Sequence, residues 1–250
     1  MGQLKDLSIV VTGASSGIGE SIARRFWEEG ARLTLGSRHE PEHAGAGARW
    51  VQTDVSDPAA AQALIDSAVE ANGRLDVLVN NAGVQIEKSI ADTSDDEFDL
   101  VMGVNVKGVF NCARAAVRQM REQGSGGSII NIGSIAGNNA DHGMAVYNAS
   151  KGAVHALTRA IATDHGRDGI RCNSIAPGWI ATALADAAFD LADDPQAARD
   201  EAISKHPVGR LGMPEDIANL AVWLAGPEST FASGSVFTVD GGLTAQSPIG

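Results

Sequence analysis

Tyr147 and Lys151 lie four residues apart, ahead of apolar residues with helical spacing at positions 153–161. Residues i and i+4 share one face of a helix, so the phenol and the ammonium are predicted to lie side by side. A free phenol has a pKa of about 10 and is a poor acid-base catalyst at neutral pH. An adjacent cation favours the phenolate, and lowering the phenol pKa to about 7 takes roughly 4 kcal/mol. Tyr147, the only tyrosine in the chain, is therefore a candidate proton donor and acceptor, although this spacing also arises by chance.

Two polar residues outside that stretch are candidates for the same site. Ser134 directly follows the predicted fifth strand, and ligands bind at the carboxyl ends of parallel strands. Asn105 lies among apolar residues of a long helix that Thr93 or Ser94 caps and that ends near Glu122. A buried amide needs a hydrogen-bond partner, so Asn105 is predicted to make specific contacts.

A glycine-rich turn follows the first predicted strand. The β-branched run at residues 8–12 predicts a buried parallel strand, and Gly13, Gly17 and Gly19 separate it from an amphipathic helix that ends at Gly30. Such glycines allow a tight turn and close approach of the backbone to a pyrophosphate, and a helix N-terminus offers free N–H groups. Strand, turn and helix in this order predict a dinucleotide site. The alternative is an ordinary glycine-containing turn.

The end of the second predicted strand bears on the choice of cofactor. An acidic residue there binds the ribose hydroxyls of NAD, whereas a basic residue accepts the 2′-phosphate of NADP. This strand ends in Gly36, Ser37 and Arg38, without a carboxylate. NADP(H) is therefore favoured, with NAD(H) as the alternative. Arg38 is also interpretable as a solvated loop charge, because Glu40 and Glu42 follow it closely.

The other strand ends supply further candidates. About ten residues separate the second and third strands, which is too short for a crossover helix and predicts a loop or a single turn. Asp54 and Val55 end the third strand, where a carboxylate can meet an adenine amino group. Small residues after the fourth strand allow a dinucleotide to lie against the backbone. Residues 181–206 form the longest excursion beyond a strand end and are interpreted as a substrate lid.

Strands and helices alternate along the chain, with no internal repeat and no linker. This pattern predicts a single α/β domain over residues 1–250, with a doubly wound parallel sheet and helices on both faces. A chain of 250 residues is long enough to bury one such core.

Composition excludes several classes of partner. The net charge of −12 disfavours nucleic acid and anionic membrane, since both need a basic face.

The N-terminus shows no signal peptide, and no apolar run approaches membrane-spanning length. Cys112 and Cys172 have apolar neighbours and are predicted to be buried thiols, which suits a reducing cytoplasm. No Cys/His cluster has metal-ligand spacing, so no metal site is predicted.

Together these motifs resemble those of the short-chain dehydrogenase/reductase family, over the whole chain. In that family's order and spacing they are Thr12-Gly-x-x-x-Gly-x-Gly19, Asn80-Asn-Ala-Gly83, Asn105, Ser134, Tyr147-x-x-x-Lys151 and Pro177-Gly178. The resemblance implies a Rossmann-like fold with a seven-stranded sheet and NAD(P)-dependent hydride transfer to or from a carbonyl or alcohol. It also implies a homotetramer of dihedral symmetry, built on the long helices and the C-terminal strand.

The resemblance further implies a role for each site residue. Tyr147 is the general acid in reduction and the base in oxidation, Ser134 holds the substrate oxygen, and Lys151 binds the nicotinamide ribose and lowers the tyrosine pKa. Asn105 positions a water that links Lys151 to solvent, and Thr182 touches the carboxamide. The implied cofactor contacts are Gly13, Ser15, Ser16, Gly17, Ile18, Gly19, Ser37, Arg38, Asp54, Val55, Asn81, Ala82, Gly83, Tyr147, Lys151, Pro177, Gly178, Ile180 and Thr182.

The sequence does not single out one substrate, because it resembles sugar 1-dehydrogenases and 3-oxoacyl-carrier-protein reductases about equally. Such reductases tend to place basic residues just before the fifth and sixth strands, where this chain has Ser128 and Asp168. Like charge opposes docking of an acidic carrier protein. A small polar molecule resembling a sugar or polyol is therefore favoured, with a carrier-protein reductase or a general ketone reductase as the alternative. The residues expected around the pocket are Gln85, Asn139, His142 and Trp179, of which Asn139 and His142 are equally interpretable as solvent-facing.

Two other classes of protein share part of this pattern. Extended-type epimerases and dehydratases also use Tyr-x-x-x-Lys, but they are longer and space their glycines as Gly-x-x-Gly-x-x-Gly. A non-catalytic nucleotide sensor has little need for the complete set of Asn105, Ser134, Tyr147 and Lys151. A dehydrogenase is therefore the favoured interpretation.

Overall fold

Seven parallel strands form one sheet in the computed structural model, which describes residues 2–42 and 45–246. The strands are β1 (Ser8–Thr12), β2 (Arg32–Ser37), β3 (Arg49–Gln52), β4 (Val77–Asn80), β5 (Gly127–Ile132), β6 (Ile170–Pro177) and β7 (Val236–Val239). Their order across the sheet is β3-β2-β1-β4-β5-β6-β7, and every pairing is parallel. The predicted doubly wound, seven-stranded sheet is confirmed.

The order of the strands opens a crevice between β1 and β4. The chain proceeds from β1 outward to β2 and β3, then returns to the other side of β1 to begin β4. The connections on the two sides of this point therefore run over opposite faces. Ligands of doubly wound sheets bind at such a switch point, outside the carboxyl ends of the strands. All five residues of β1 and all four of β4 are buried.

Helices cover both faces of the sheet. They are α1 (Gly17–Glu28), α2 (Pro58–Asn72), α3 (Asp95–Met102), α4 (Val109–Gln123), α5 (Ala145–His165), α6 (Ala183–Phe189), α7 (Pro195–Ser204) and α8 (Pro214–Ala225). Phe26 of α1 and Ile217 of α8 belong to the apolar cluster on one face. Leu64 of α2 and Cys112 of α4 belong to the cluster on the other face. Burial of such side chains on both faces is the main stabilising contribution to this fold.

The predicted long helix after Ser94 is interrupted. Ser94 caps α3 with a reciprocal bond to Glu97, but a π-helical segment, Gly103–Gly108, joins α3 to α4. Prediction of one regular helix to residue 122 was therefore wrong over this segment. The apolar spacing did not reveal the π turn, because one extra residue in a turn changes the hydrogen bonding more than the pattern of burial.

The connection between β2 and β3 contains no helix within residues 38–42 and 45–48, in agreement with the prediction. Trp27 of α1 holds this connection from one side, because its indole N–H donates to the Ala46 carbonyl at 3.1 Å. Both cysteines are buried free thiols, as predicted. No helix within the described residues is long and apolar enough to cross a membrane.

Residues 181–206 contain α6 and α7, which share a small apolar cluster with the flanking residues Trp179 and Leu211. Phe189 stacks on Trp179, with ring centroids 5.0 Å apart, and Ala185, Ala202 and Leu211 complete the cluster. This segment lies beyond the carboxyl end of β6, beside the crevice. The interpretation of this segment as a substrate lid stays a prediction.

Candidate active site

A cleft of about 640 Å³ lies at the carboxyl ends of the central strands. The glycine-rich turn after β1 lines one end, and Ser134, Tyr147 and Lys151 line the same cleft further along. The motifs that the sequence separates by more than 100 residues therefore share one cavity. Its volume lies within the range of ligand sites in proteins, about 300–1,000 Å³.

The turn after β1 has a backbone that side chains would obstruct. Gly13 has a φ of +63°, and a Cβ added there would lie 2.8 Å from the Ala82 Cα. Gly17 has a φ of +58°, and a Cβ on Gly19 would lie 2.3 Å from the Gly13 carbonyl oxygen. Glycine is required by the left-handed conformation at the first two positions and by close packing at the third. The turn thus brings bare backbone to the N-terminus of α1, as an anion site requires.

The turn is braced from β4. The Asn81 amide donates to the carbonyls of Thr12 and Gly13, both at 3.0 Å. The Thr12 hydroxyl accepts from the backbone N–H groups of Asn81 and Ala82, at 3.0 and 3.2 Å. Asn81 was expected to contact the cofactor, and the structure shows its amide committed to this brace. Thr12 is part of the recognised motif, but its role as acceptor was not predicted.

The adenosine end of the cleft has Ser37, Arg38 and Asp54 on its wall. The buried Ser37 hydroxyl donates to the His39 carbonyl at 2.6 Å and accepts from the Trp50 indole at 3.1 Å. Arg38 is exposed. The Asp54 carboxylate accepts from the hydroxyl and N–H of Ser56, which hold its pKa below the ordinary value, helped by the charge of Arg38.

Tyr147 and Lys151 lie side by side on the first turns of α5, as predicted. The Lys151 Nζ is 5.6 Å from the centre of the tyrosine ring. It is buried at 6% exposure and donates to the Ile132 carbonyl at 2.9 Å. Burial disfavours the ammonium and lowers the pKa of Lys151 to about 8.

The acidity of Tyr147 departs from the expectation. Burial raises the pKa of the phenol to about 12; a hydrogen bond with Ser134 opposes this shift, and the charge of Asp141 adds to it. The lowering was expected from Lys151 together with a cationic nicotinamide ring. The protein's side chains alone do not produce it, because the loss of hydration is the largest effect on the phenol.

Ser134 and Asn105 fix the surroundings of that pair. The Ser134 hydroxyl accepts from the Ala136 N–H at 3.1 Å. Asn105, fully buried in the π-helical segment, accepts from the Val84 N–H and donates to the Val84 carbonyl, each at 2.8 Å. It also donates to the Ser150 hydroxyl at 3.0 Å. Asn105 thus joins the loop after β4 to α5, and within the described residues it makes no direct bond to Lys151.

The remaining predicted cofactor contacts divide in two groups. Gly19 lies beneath the turn, against Gly13, rather than on the cleft wall. Thr182 caps α6 by accepting from the Ala185 N–H at 3.4 Å and also faces the cleft. The others on the wall are Ser15, Ser16, Gly17, Ile18, Val55, Ala82, Gly83, Pro177, Gly178 and Ile180.

The predicted substrate residues are only partly brought together. Gln85 and Trp179 line the cleft, whereas Asn139 and His142 are exposed and lie outside its wall. Asp141 and Met144, which were not predicted, line the cleft in their place. Asn139, Asp141, His142 and Met144 all belong to the loop that directly precedes α5. Their direction could not be read from the sequence, because such a loop has no regular periodicity.

The structure also corrects the argument about carrier-protein docking. Ser128 is buried on β5, and its hydroxyl donates to the Leu224 carbonyl at 2.9 Å, so it is not part of a docking surface. Asp168 is partly exposed, but Arg121 lies 3.2 Å from its carboxylate and His165 lies 3.0 Å away. Of the features that disfavour docking of an acidic carrier protein, only the net charge of −12 remains.

Comparisons with known proteins identify reductases and dehydrogenases that are similar to this chain over nearly its whole length. The family model described as enoyl-(acyl carrier protein) reductase matches residues 13–244. An NADP-dependent (R)-specific alcohol dehydrogenase of Lentilactobacillus kefiri is 40% identical, over 98% of this chain and 99% of that enzyme. A meso-2,3-butanediol dehydrogenase of Serratia marcescens is 38% identical, over 95% and 94%. The ligand-free aldohexose dehydrogenase of Thermoplasma acidophilum superposes with a TM-score of 0.93 at 34% identity, over 100% of this chain and 98% of the other.

Proposed function

The chain belongs to the short-chain dehydrogenase/reductase family of NAD(P)-dependent oxidoreductases that act on CH–OH groups, and we propose that its substrate is a small, uncharged, polar secondary alcohol or ketone. The relatives named for an alcohol, a diol and an aldohexose support this class of substrate. The net charge of −12 also favours a neutral molecule over an anionic one.

One observation carries the proposal. Ser134, Tyr147 and Lys151 share the wall of a single cleft with the glycine-rich turn. In this cleft the Ser134 hydroxyl holds the substrate oxygen beside the phenol, and Tyr147 exchanges a proton with that oxygen. Asn105 fixes the loop after β4 against α5, so that the reacting side chains keep their spacing.

The residues present fit a nicotinamide dinucleotide, which when bound supplies or accepts the hydride. The glycine-rich turn and the N-terminus of α1 would hold the pyrophosphate, and Asp54 the adenine. Lys151 would bind the nicotinamide ribose, and Thr182 the carboxamide. NADP(H) is the proposed partner, with NAD(H) as the alternative, because Arg38 borders the adenosine end of the cleft and no carboxylate stands at residues 36–38.

The nicotinamide absorbance of the purified protein tests this function. We expect turnover with secondary alcohols, sugars, cyclic ketones or oxoesters from a panel assayed with both cofactors. A protein that binds the cofactor tightly and turns over no member of the panel would instead support a nucleotide sensor.

A second candidate is reduction of a substrate attached to a carrier protein, which the description of the matching family model favours. The same acyl group offered as a carrier-protein thioester and as a small-molecule thioester separates the two. We expect the carrier-bound form to react no better, since both proteins are acidic. A marked preference for it would favour the second candidate.

A further inference from the structure

Asp141 occupies a position on the cleft wall that the reaction described above does not use. It lies between Ser134 and α5, and the Asn148 amide donates to its backbone carbonyl at 3.2 Å. Nearby, the Ala145 N–H bonds to the Lys88 carbonyl at 3.4 Å and ties the start of α5 to the loop after β4. The backbone that bears Asp141 is thus held on the side of α5, and the Asp141 side chain, although exposed, lines the cleft.

The Asp141 carboxylate has no partner of its own. Within residues 2–42 and 45–246, no hydrogen bond is donated to its oxygen atoms and no cation lies within ion-pair distance. Partial burial raises the pKa of the Asp141 carboxyl, and the charge of Lys205, just after α7, opposes this shift. The Lys205 ammonium is itself paired with Glu201 at 2.6 Å. The carboxylate therefore presents unused acceptor atoms to whatever enters the cleft.

The surroundings of Asp141 make that acceptor selective. Met144, Trp179 and Leu184 give the neighbouring wall an apolar character, and the Gln85 amide is committed to Glu87 at 2.6 Å. The charge of Asp141 is felt by the Tyr147 phenol, so it acts on the region where the reacting oxygen is held. A donor on the substrate would gain a charge-assisted hydrogen bond there, and an anion would be repelled.

We infer that Asp141 is a specificity-determining residue, which accepts a hydrogen bond from a second hydroxyl of the substrate and disfavours carboxylates. The substrate class is then a hydroxy ketone or the corresponding diol. This inference rests on the proposed function, since it assigns the second polar group of the same substrate.

Two pairs of ketones test it, each measured as a ratio of kcat/KM. Acetoin and methyl isopropyl ketone differ by a hydroxyl in place of a methyl group, and methyl acetoacetate and acetoacetate differ by a negative charge. We expect the wild type to prefer acetoin and methyl acetoacetate, each by roughly tenfold or more, since charge-assisted bonds are worth at least a factor of that size.

Two variants and a control separate hydrogen bonding from charge. Asp141→Ala should reduce both preferences to within about threefold of unity, a change of at least threefold from the tenfold expected. Asp141→Asn should lose the discrimination against acetoacetate and keep most of the preference for acetoin, because the amide oxygen still accepts. Asp164→Asn makes the same change of charge on an exposed residue of α5 outside the cleft wall, and both ratios should stay at the wild-type values.

The possible outcomes are distinct. Unchanged ratios in both Asp141 variants, with cofactor affinity intact, would overturn the role of Asp141 and leave the proposed function standing. A wild type without preference for acetoin would do the same. Failure of the wild type to reduce any of the four ketones with either cofactor would count against the proposed substrate class and against this inference together.

Discussion

Tyr147 remains protonated at neutral pH in this structure, because burial raises the pKa of its phenol to about 12. A protonated phenol can donate to the oxygen of a ketone, which suits reduction. In the oxidative direction the same group must first lose its proton, and the surrounding protein opposes that loss. Base catalysis therefore requires a further source of positive charge near the phenol.

Replacement of that phenol should stop the reaction and spare the cofactor site. We expect Tyr147→Phe to lower kcat by at least about a hundredfold, the smaller end of the range for general acid catalysis, with a nearly unchanged Kd for NADPH. Stopped-flow or steady-state absorbance and fluorescence titration measure the two quantities. Retention of most of the wild-type kcat would show that Tyr147 does not transfer the proton.

The buried ammonium of Lys151 should lower the free energy of unfolding at pH values below about 8. The pKa of Lys151 is about 8 in the folded protein, compared with 10.5 for a lysine in water. Burial of the charge therefore costs about 3 kcal/mol at neutral pH. Between pH 8 and pH 10.5 the folded state loses the proton first, and the cost disappears. Lys151→Met should therefore raise the free energy of unfolding at pH 7 and lose most of this advantage by pH 10.5.

Denaturant unfolding at several pH values measures this difference between variant and wild type. Lys5→Met removes an exposed lysine and should leave the difference near zero throughout. An advantage of Lys151→Met that does not depend on pH would show that packing, rather than the charge, is responsible.

Arg38 is the residue expected to select the cofactor. Charge-assisted hydrogen bonds of about 1.5–3 kcal/mol predict a preference for NADPH of roughly one to two orders of magnitude in kcat/KM. Arg38→Ala should weaken NADPH binding and leave NADH almost unchanged, whereas Arg49→Ala, on the neighbouring strand and outside the cleft wall, should affect neither. Ser37→Asp should invert the preference. An equal effect of Arg38→Ala on both cofactors would show that Arg38 does not select the cofactor and is a solvated loop charge.

At the scale of elements, the glycine-rich turn depends on β4 for its conformation. The Thr12 hydroxyl accepts two backbone N–H groups from the residues that follow β4, and the Asn81 amide returns two bonds to the turn. The anion site is thus built by two adjacent parallel strands rather than by the turn alone. This explains why the motif after β1 and the motif after β4 function as one unit.

Loss of the Thr12 hydroxyl should loosen that unit. Thr12→Val preserves the shape but leaves two N–H groups without an acceptor, which should destabilise the protein by about 1–3 kcal/mol and weaken cofactor binding. Thr34→Val is the matched control, because Thr34 is equally buried on β2 and its hydroxyl has no hydrogen-bond partner among the residues that the structure describes. Thermal unfolding and cofactor titration compare the two. Equal effects would show that the brace is dispensable.

At the scale of the whole molecule, α3 and α4 carry exposed large apolar side chains. Phe98, Leu100 and Phe110 are each about half exposed, and the guanidinium of Arg114 covers only one side of the Phe110 ring, 5.1 Å from its centre. Exposed side chains of this kind are candidates for an interface. The homotetramer predicted to be built on the long helices would cover Phe110, on α4.

A charge at Phe110 should weaken the predicted assembly. We expect the wild type to be a tetramer and Phe110→Glu to shift it to dimers or monomers, as measured by light scattering coupled to size exclusion. Leu191→Glu introduces the same charge at an exposed apolar position outside α3 and α4 and should leave the mass unchanged. A monomeric wild type would contradict the prediction.

The sequence by itself determined the features that depend on neighbours along the chain. The i,i+4 spacing of Tyr147 and Lys151 places them together in any α-helix. Glycine at residues 13 and 17 permits the left-handed turn wherever the strand lies, and Ser94 caps α3 through Glu97. Such features are set by local sterics and hydrogen bonds, which is why the order of elements and most of the cleft could be predicted.

Only the tertiary structure decided the features that depend on burial. It turned Asp141 rather than His142 toward the cleft, placed Ser128 inside the sheet, and raised rather than lowered the pKa of Tyr147. Each outcome depends on which distant segments exclude water from a side chain. Desolvation is a property of the assembled surroundings, and residue spacing along the chain carries no information about it.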